Sequence, residues 1–346
     1  MPQLMSQYIR VLLASATLLC TLLLPGLAVA QGTLETIQVH GPALEGNLAG
    51  DDPEREVFVY LPPGYAEDTG TRYPVVYFLH GYGATAQIYV EGVLDLPASA
   101  DAAITAGAQP AIIVVPNAYN TYSGSMYANS PTVGDWESYI ADDLVTYIDS
   151  NYRTLAAPGS RGLSGHSMGG YGTLRIGMKR PGVFAALYAM SACCLLNQAP
   201  DAAAVAEQVE RMAEGSVAEA GGFANVLQAQ ASAWAPNPQN PPYYSDWPYD
   251  DEGEALPLVQ GKWIANSPLV TVDQYVPVLQ GYRAIALDVG DKDSLVDSNS
   301  RLSAALERLG VAHGYEIYDG DHGNRVGQRF REEVLPFFTQ HLDTVE

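Results

Sequence analysis

From Val57 onward, short β-branched or aromatic runs alternate with longer amphipathic stretches, and several of the short runs are apolar at every position. A strand that is apolar on both faces must be buried on both, which is the condition of a mainly parallel sheet covered by helices on either side. The expected strands are Glu56 to Leu61, Pro74 to Leu79, Ala111 to Val115, Arg161 to Gly165, Ala185 to Met190, Arg283 to Val289 and Tyr315 to Tyr318. Helical spacing runs from Trp136 to Ser150 behind the capping residue Asp135, from Ser298 to Leu309, and from Val326 to Leu342. The fold class that follows is α/β.

One stretch interrupts this rhythm. Between Ser191 and Arg283 about ninety residues pass without a convincing strand, too many for an ordinary loop. An Ala-rich helical stretch, Asp201 to Ala220, is followed by Tyr243, Tyr244, Trp247 and Tyr249 among prolines. We read residues 197–275 as a cap-like insertion over the active edge of the sheet, with Trp247 a candidate for substrate contact.

Residues 1–30 differ from the rest. Arg10 is their only charged residue, Val11 to Leu24 is an apolar run, and Ala28-Val29-Ala30 has the small-x-small form of a cleavage site. At about 14 residues the run is shorter than the roughly 20 that a spanning helix needs, so a secretory leader is expected, with a secreted or periplasmic domain at 31–346. Beyond it only Cys193 and Cys194 remain, adjacent, and neighbouring cysteines cannot close a stabilising loop. Two buried thiols are the first reading and a strained vicinal disulfide the second.

Acidic residues outnumber basic ones 39 to 17, for a formal charge of -22. Phosphate neutralisation needs Lys and Arg, so nucleic acid and anionic membrane are poor partners, and a neutral or weakly charged substrate, small or polysaccharide-linked, suits the field better than an anion. The oligomeric state is not legible.

The chemistry concentrates in Gly165-His166-Ser167-Met168-Gly169-Gly170, a Gly-x-Ser-x-Gly pattern at a strand end and helix start. Such a sharp turn holds the serine hydroxyl out over the sheet edge and needs glycines where side chains would collide. A serine hydroxyl needs a base, and the base an acid that fixes its tautomer. Of the downstream histidines His313, His322 and His341, only His322 lies in a loop between a strand's C-terminal end and the next helix, so it is the expected base. For the acid, Asp288 falls within a strand pattern, whereas Asp291 and Asp293 share a loop and spacing does not separate them. The backbone amides of Met168 and Tyr82, the latter in the glycine-rich loop after an earlier strand, are the expected oxyanion donors. His80 in that loop reads as a loop organiser.

These residues resemble the putative-esterase family of α/β hydrolases, which includes bacterial feruloyl esterases, the esterase D type and the antigen 85 mycolyltransferases. The likeness rests on Tyr77-Phe78-Leu79-His80-Gly81-Tyr82-Gly83, Gly124 to Ser130, Trp136-Glu137, Gly165 to Gly170, Gly290-Asp291-Lys292-Asp293-Ser294-Leu295 and Gly320-Asp321-His322. It implies an α/β-hydrolase fold, a serine esterase without metal or organic cofactor, an oxyanion hole at Tyr82 and Met168, and Asp293 as the acid. Tyr127 and Asn129, with Asn117, are candidates for the acyl pocket. Glu137 at a helix start is expected to be structural. An acyltransferase using a sugar or alcohol acceptor, and a non-catalytic glycan- or aromatic-binding protein on the same scaffold, are the alternatives.

Overall fold

The β-branched runs assemble into one eight-stranded sheet. The computed structural model describes residues 31–196, 200–213, 225–250 and 252–344; the expected leader at 1–30 and the end of the Ala-rich stretch lie outside them. The strands are β1 (Thr33–His40), β2 (Glu54–Leu61), β3 (Val75–Leu79), β4 (Ile112–Pro116), β7 (Arg161–His166), β8 (Ala186–Met190), β9 (Ala284–Gly290) and β10 (Gly314–Tyr318), with a small hairpin of β5 (Asn129–Ser130) and β6 (Gly134–Asp135) apart from them. Their order is β1-β2-β4-β3-β7-β8-β9-β10. β2 runs antiparallel to both β1 and β4, and every later pairing is parallel.

Alternation along each strand feeds two cores. In β3 all five residues are buried, Val75, Tyr77 and Leu79 toward one face and Val76 and Phe78 toward the other. The first core takes Trp136, Ile140, Leu144 and Ile148 from one helical run, in which Trp136–Ser138 and Leu144–Asn151 are joined by a π turn at Tyr139–Asp143. The second takes Leu96 and Ala100 of the Leu96–Thr105 helix and Phe330 and Phe338 from the C-terminal helical run. Each fully buried side chain of this size is worth about 1.5–3 kcal/mol.

The insertion is anchored by aromatic contacts. Trp234 and Trp263 pack edge to face at 5.4 Å, and Tyr171 of the Met168–Lys179 helix lies 6.0 Å from Trp234. Arg175 of that helix donates to Glu137 at 2.7 Å and to Asn266 at 2.6 Å. Glu137 is therefore one half of a buried ion pair between two helices, as a structural residue should be. Ser130 and Thr132 donate to the carbonyls of Ser232 and Tyr244, so the β5–β6 hairpin holds the insertion from another side. Among the described residues no helix is long and apolar enough to cross a membrane.

Candidate active site

The strand order reverses between β4 and β7: from β3 the chain passes to β4 on one side and later returns to β7 on the other. At such a switch point two loops diverge from neighbouring C-terminal strand ends and leave a crevice. The loops here are His80 to Gly83 after β3 and the turn at Ser167 after β7, whose strands pair through Leu79 and Gly165.

Ser167 stands between β7 and the Met168–Lys179 helix with φ 59° and ψ -114°, a conformation that costs an L-residue about 1–3 kcal/mol. Two glycines permit it. A Cβ on Gly169 would stand 1.8 Å from the Leu79 carbonyl oxygen, and one on Gly165 would stand 2.4 Å from the Gly169 oxygen. The amide of Ser167 donates to the Met190 carbonyl at 3.0 Å, and its own carbonyl accepts from Cys193 at 3.1 Å.

The structure brings Ser167, His322 and Asp293 together. Nε2 of His322 lies 2.9 Å from Ser167 Oγ, and Nδ1 lies 2.8 Å from Asp293 Oδ2. With the carboxylate accepting from Nδ1–H, Nε2 is left to accept from the serine hydroxyl. Asp293 has a fully buried side chain, and its Oδ1 accepts from the Leu295 amide at 2.9 Å. Burial raises its pKa, but the bonds from His322 and the Leu295 amide outweigh it and hold the carboxyl below the ordinary range. Asp291 does another job: Oδ1 accepts from the Gly320 amide at 3.0 Å, bracing the loop that carries His322. Asp321 tightens that loop by accepting from the amides of Gly323 and Asn324.

Met168 is the first residue of its helix, where the amide has no intrahelical acceptor. Its side chain and that of Tyr82 converge on Gly124, where a Cβ would stand 2.5 Å from the Tyr82 ring and 2.8 Å from Met168 Sδ. A Cβ on Gly81 would sit 3.4 Å from Ser167 Cβ, so the β3 loop lies directly against the serine. His80 is wholly buried, donating from Nδ1 to the Gly81 carbonyl and accepting at Nε2 from the Ala118 amide, both at 2.8 Å. Burial pushes its pKa down to about 4, so it braces the loop as a neutral ring.

His166 is a component that pattern reading missed. Its Nε2–H donates to the His322 carbonyl at 2.7 Å, its Nδ1 accepts from Tyr89 Oη at 2.7 Å, and its ring lies 4.8 Å from that of His322. Burial and the neighbouring His322 push its pKa down to about 3. A neutral imidazole thus ties the loop of His322 to the turn of Ser167. The only hint in the sequence is a histidine at the first variable position of Gly-x-Ser-x-Gly.

The expected substrate contacts are placed elsewhere. Tyr127 is fully buried: its hydroxyl donates to the His80 carbonyl at 3.2 Å, and its ring stands edge-on to Trp136. It supports the β3 loop from beneath and does not wall an acyl pocket. Asn129 donates to Asp135 across the β5–β6 hairpin and borders a shallow depression with Ala43, Leu48 and Pro238. Trp247 lines a groove with Val205, Val209 and Tyr249 of the insertion, without any of the three catalytic candidates. Asn117 accepts from the Tyr119 amide at 3.2 Å as a turn former.

Residues 52–335 match the family described as "Putative esterase". Esterase Rv1288 of Mycobacterium tuberculosis is 37% identical over 137 residues, 37% of this chain and 27% of that protein. The endo-1,4-beta-xylanase/feruloyl esterase of Xylanibacter ruminicola is 34% identical over 133 residues, 36% of this chain and 18% of its own. The chain thus spans about a quarter or less of the curated relatives it matches. A solved ferulic acid esterase superposes with a TM-score of 0.64 at 22% identity, over 90% of this chain and all of that one, and shares the α/β-hydrolase fold.

Proposed function

Since the chain belongs to the putative-esterase family, we propose that it hydrolyses carboxylic esters through a covalent acyl-enzyme on Ser167. The observation that carries this reading is the unbroken hydrogen-bonded run Asp293–His322–Ser167 at the C-terminal edge of the sheet. Ser167 Oγ attacks the ester carbonyl while His322 Nε2 takes its proton. Asp293 holds the imidazole in the tautomer that can accept, and its buried charge stabilises the imidazolium that forms. The amides of Met168 and Tyr82 donate to the oxyanion, each such donor being worth about 3–4 kcal/mol in the transition state. His322 then protonates the departing alkoxide, and water, activated by the same imidazole, releases the acid.

The substrate class we favour is an aryl ester of the hydroxycinnamoyl kind on a neutral sugar or polysaccharide. The names of the feruloyl and ferulic acid esterases among the relatives support it, as does a net charge of -22, which disfavours anionic substrates. Export is proposed on Val11 to Leu24 and Ala28-Val29-Ala30. A strained, pre-formed triad has no use in a purely binding protein, which disfavours that alternative.

The experiment is turnover of nitrophenyl acyl esters and methyl hydroxycinnamates by the native chain and variants. Ser167→Ala and His322→Ala are each expected to lower kcat by at least about 10⁴. Retention of a tenth of native turnover by the serine variant would end the proposal.

A further inference from the structure

Cys193 and Cys194 follow β8 on the strand end that abuts the serine turn. Both are free and partly exposed, and their Sγ atoms lie 2.8 Å apart in a thiol–thiol hydrogen bond. The segment is held in an unusual path, with φ 42° at Ser191 and 58° at Cys194. It is tied to the site on one side by the Cys193 amide, which donates to the Ser167 carbonyl at 3.1 Å. On the other side Gln230, from the Val226–Trp234 helix of the insertion, donates to Cys194 Sγ at 3.9 Å. Two thiols are thus held in contact at the junction of nucleophile turn and insertion, and nothing in the esterase chemistry uses either.

We infer that Cys193 and Cys194 form a reversible thiol–disulfide modification site, open to low-molecular-weight disulfides, whose closure slows the reaction of Ser167. The Cys193 thiol is held well above its ordinary range by its bond to Cys194 and by burial, so Cys193 keeps its proton. Cys194 is then the sulfur that reacts first, because only a thiolate attacks a disulfide and Cys193 is the thiol held protonated. Its thiolate attacks one sulfur of the external disulfide, forming a mixed disulfide and releasing one thiolate, which takes up the proton that Cys194 gave up. Cys193 next loses its proton and attacks Cys194 Sγ, expelling the second thiolate, which is protonated in turn. Two cysteines are oxidised by two electrons and one external disulfide is reduced to two thiols.

Reversibility follows from adjacency. Neighbouring Cα atoms across a trans peptide are about 3.8 Å apart, whereas disulfides ordinarily span about 4.4–6.8 Å, so the closed ring is strained. Strained disulfides are the readily reduced, regulatory ones. Closing the ring turns the Cys193–Cys194 peptide and so shifts the Cα of Cys193, whose own amide, beside that of Tyr171, is one of two donors to the Ser167 carbonyl. Oxidation therefore acts on the backbone that carries the nucleophile. The effect on reaction rate rests on Ser167 being that nucleophile; the chemical modification does not.

The test uses the full chain treated with oxidised glutathione, then alkylated, digested and weighed, with fluorophosphonate labelling of Ser167 followed in parallel. The peptide holding both cysteines is expected to lose two hydrogens and take up no alkyl group, and dithiothreitol restores both alkylation sites. Labelling of the oxidised form is expected to be at least about threefold slower and to recover on reduction, since small displacements near a nucleophile carry large rate effects. A Cys193→Ser/Cys194→Ser double variant should label at one rate with or without oxidant. A glutathione adduct that persists on one cysteine beside a free partner would overturn the inference. So would an oxidant effect that survives in the double variant, or a closed disulfide with no change in labelling. A ring that opens and closes while Ser167 takes no probe in either state would keep the modification site and remove the nucleophile instead.

Discussion

Replacing His166 by Gln should flatten the acid side of the stability curve by a calculable amount. In the folded chain the ring is buried, its Nδ1 is occupied by the Tyr89 hydroxyl, and its pKa is pushed down to about 3. In the unfolded chain it reverts to about 6.5. The unfolded state therefore binds the proton first, so this contribution is fully present above about pH 6.5 and is lost as the pH falls from there toward 3. At pH 5 the unfolded state has gained about 1.5 pKa units of protonation, or about 2 kcal/mol, while the folded ring is still neutral. Other groups also contribute to the native curve: Asp288, pushed up to about 6 by burial, acts in the opposite sense, since the folded state takes up its proton first. Comparing the variant with the native chain cancels them. Urea titrations at about pH 7.5 and pH 5 should show the native chain losing about 2 kcal/mol more than His166→Gln over that interval. Parallel pH dependences would refute a buried neutral imidazole at 166, and with it the tie between the His322 loop and the serine turn.

Other outcomes follow from the same geometry. Asp293→Asn should lower kcat by roughly 10⁴, because an amide favours the wrong imidazole tautomer, whereas Asp291→Asn should keep most activity; steady-state kinetics on a nitrophenyl ester separates them. Gly169→Ala forces a methyl group onto the Leu79 carbonyl at 1.8 Å and should destabilise the fold by more than about 3 kcal/mol or prevent its recovery, read as the urea midpoint. Glu137→Gln leaves the buried guanidinium of Arg175 without its counter-charge and should destabilise by about 3–5 kcal/mol.

Legibility in the sequence followed the range of the interactions involved. Seven strands announced themselves through local β-branched runs, but β1, Thr33–His40, did not. It is an edge strand with mostly exposed, mixed polar and apolar positions, held by pairing to β2 and not by its own pattern. Ser167 and His322 stood out because each lies where a strand ends, and loops after strand ends are where this fold gathers reactive groups. Asp291 and Asp293 were separated only by the family resemblance and not by their own spacing, because it is the return of β10 beside β9 that brings one carboxylate to the imidazole and the other to Gly320. Tyr127 looked like a pocket wall for the same reason. Its polar and aromatic neighbours suggest a ligand, and only the packing of the Met168–Lys179 helix over it, through Gly172, reveals that it is enclosed. The run Tyr89–His166–His322 joins a helical turn, the end of β7 and the loop after β10, and its one local sign is the histidine before Ser167.

The most direct measurement is the mass of the intact chain quenched in acid within milliseconds of mixing with an excess of an activated aryl ester. A covalent mechanism predicts a transient gain of one acyl group, mapped by digestion to Ser167, that decays at the rate of steady-state turnover and is missing from Ser167→Ala. Sustained hydrolysis with no acylated species, or an acyl group mapped to any other residue, would contradict it.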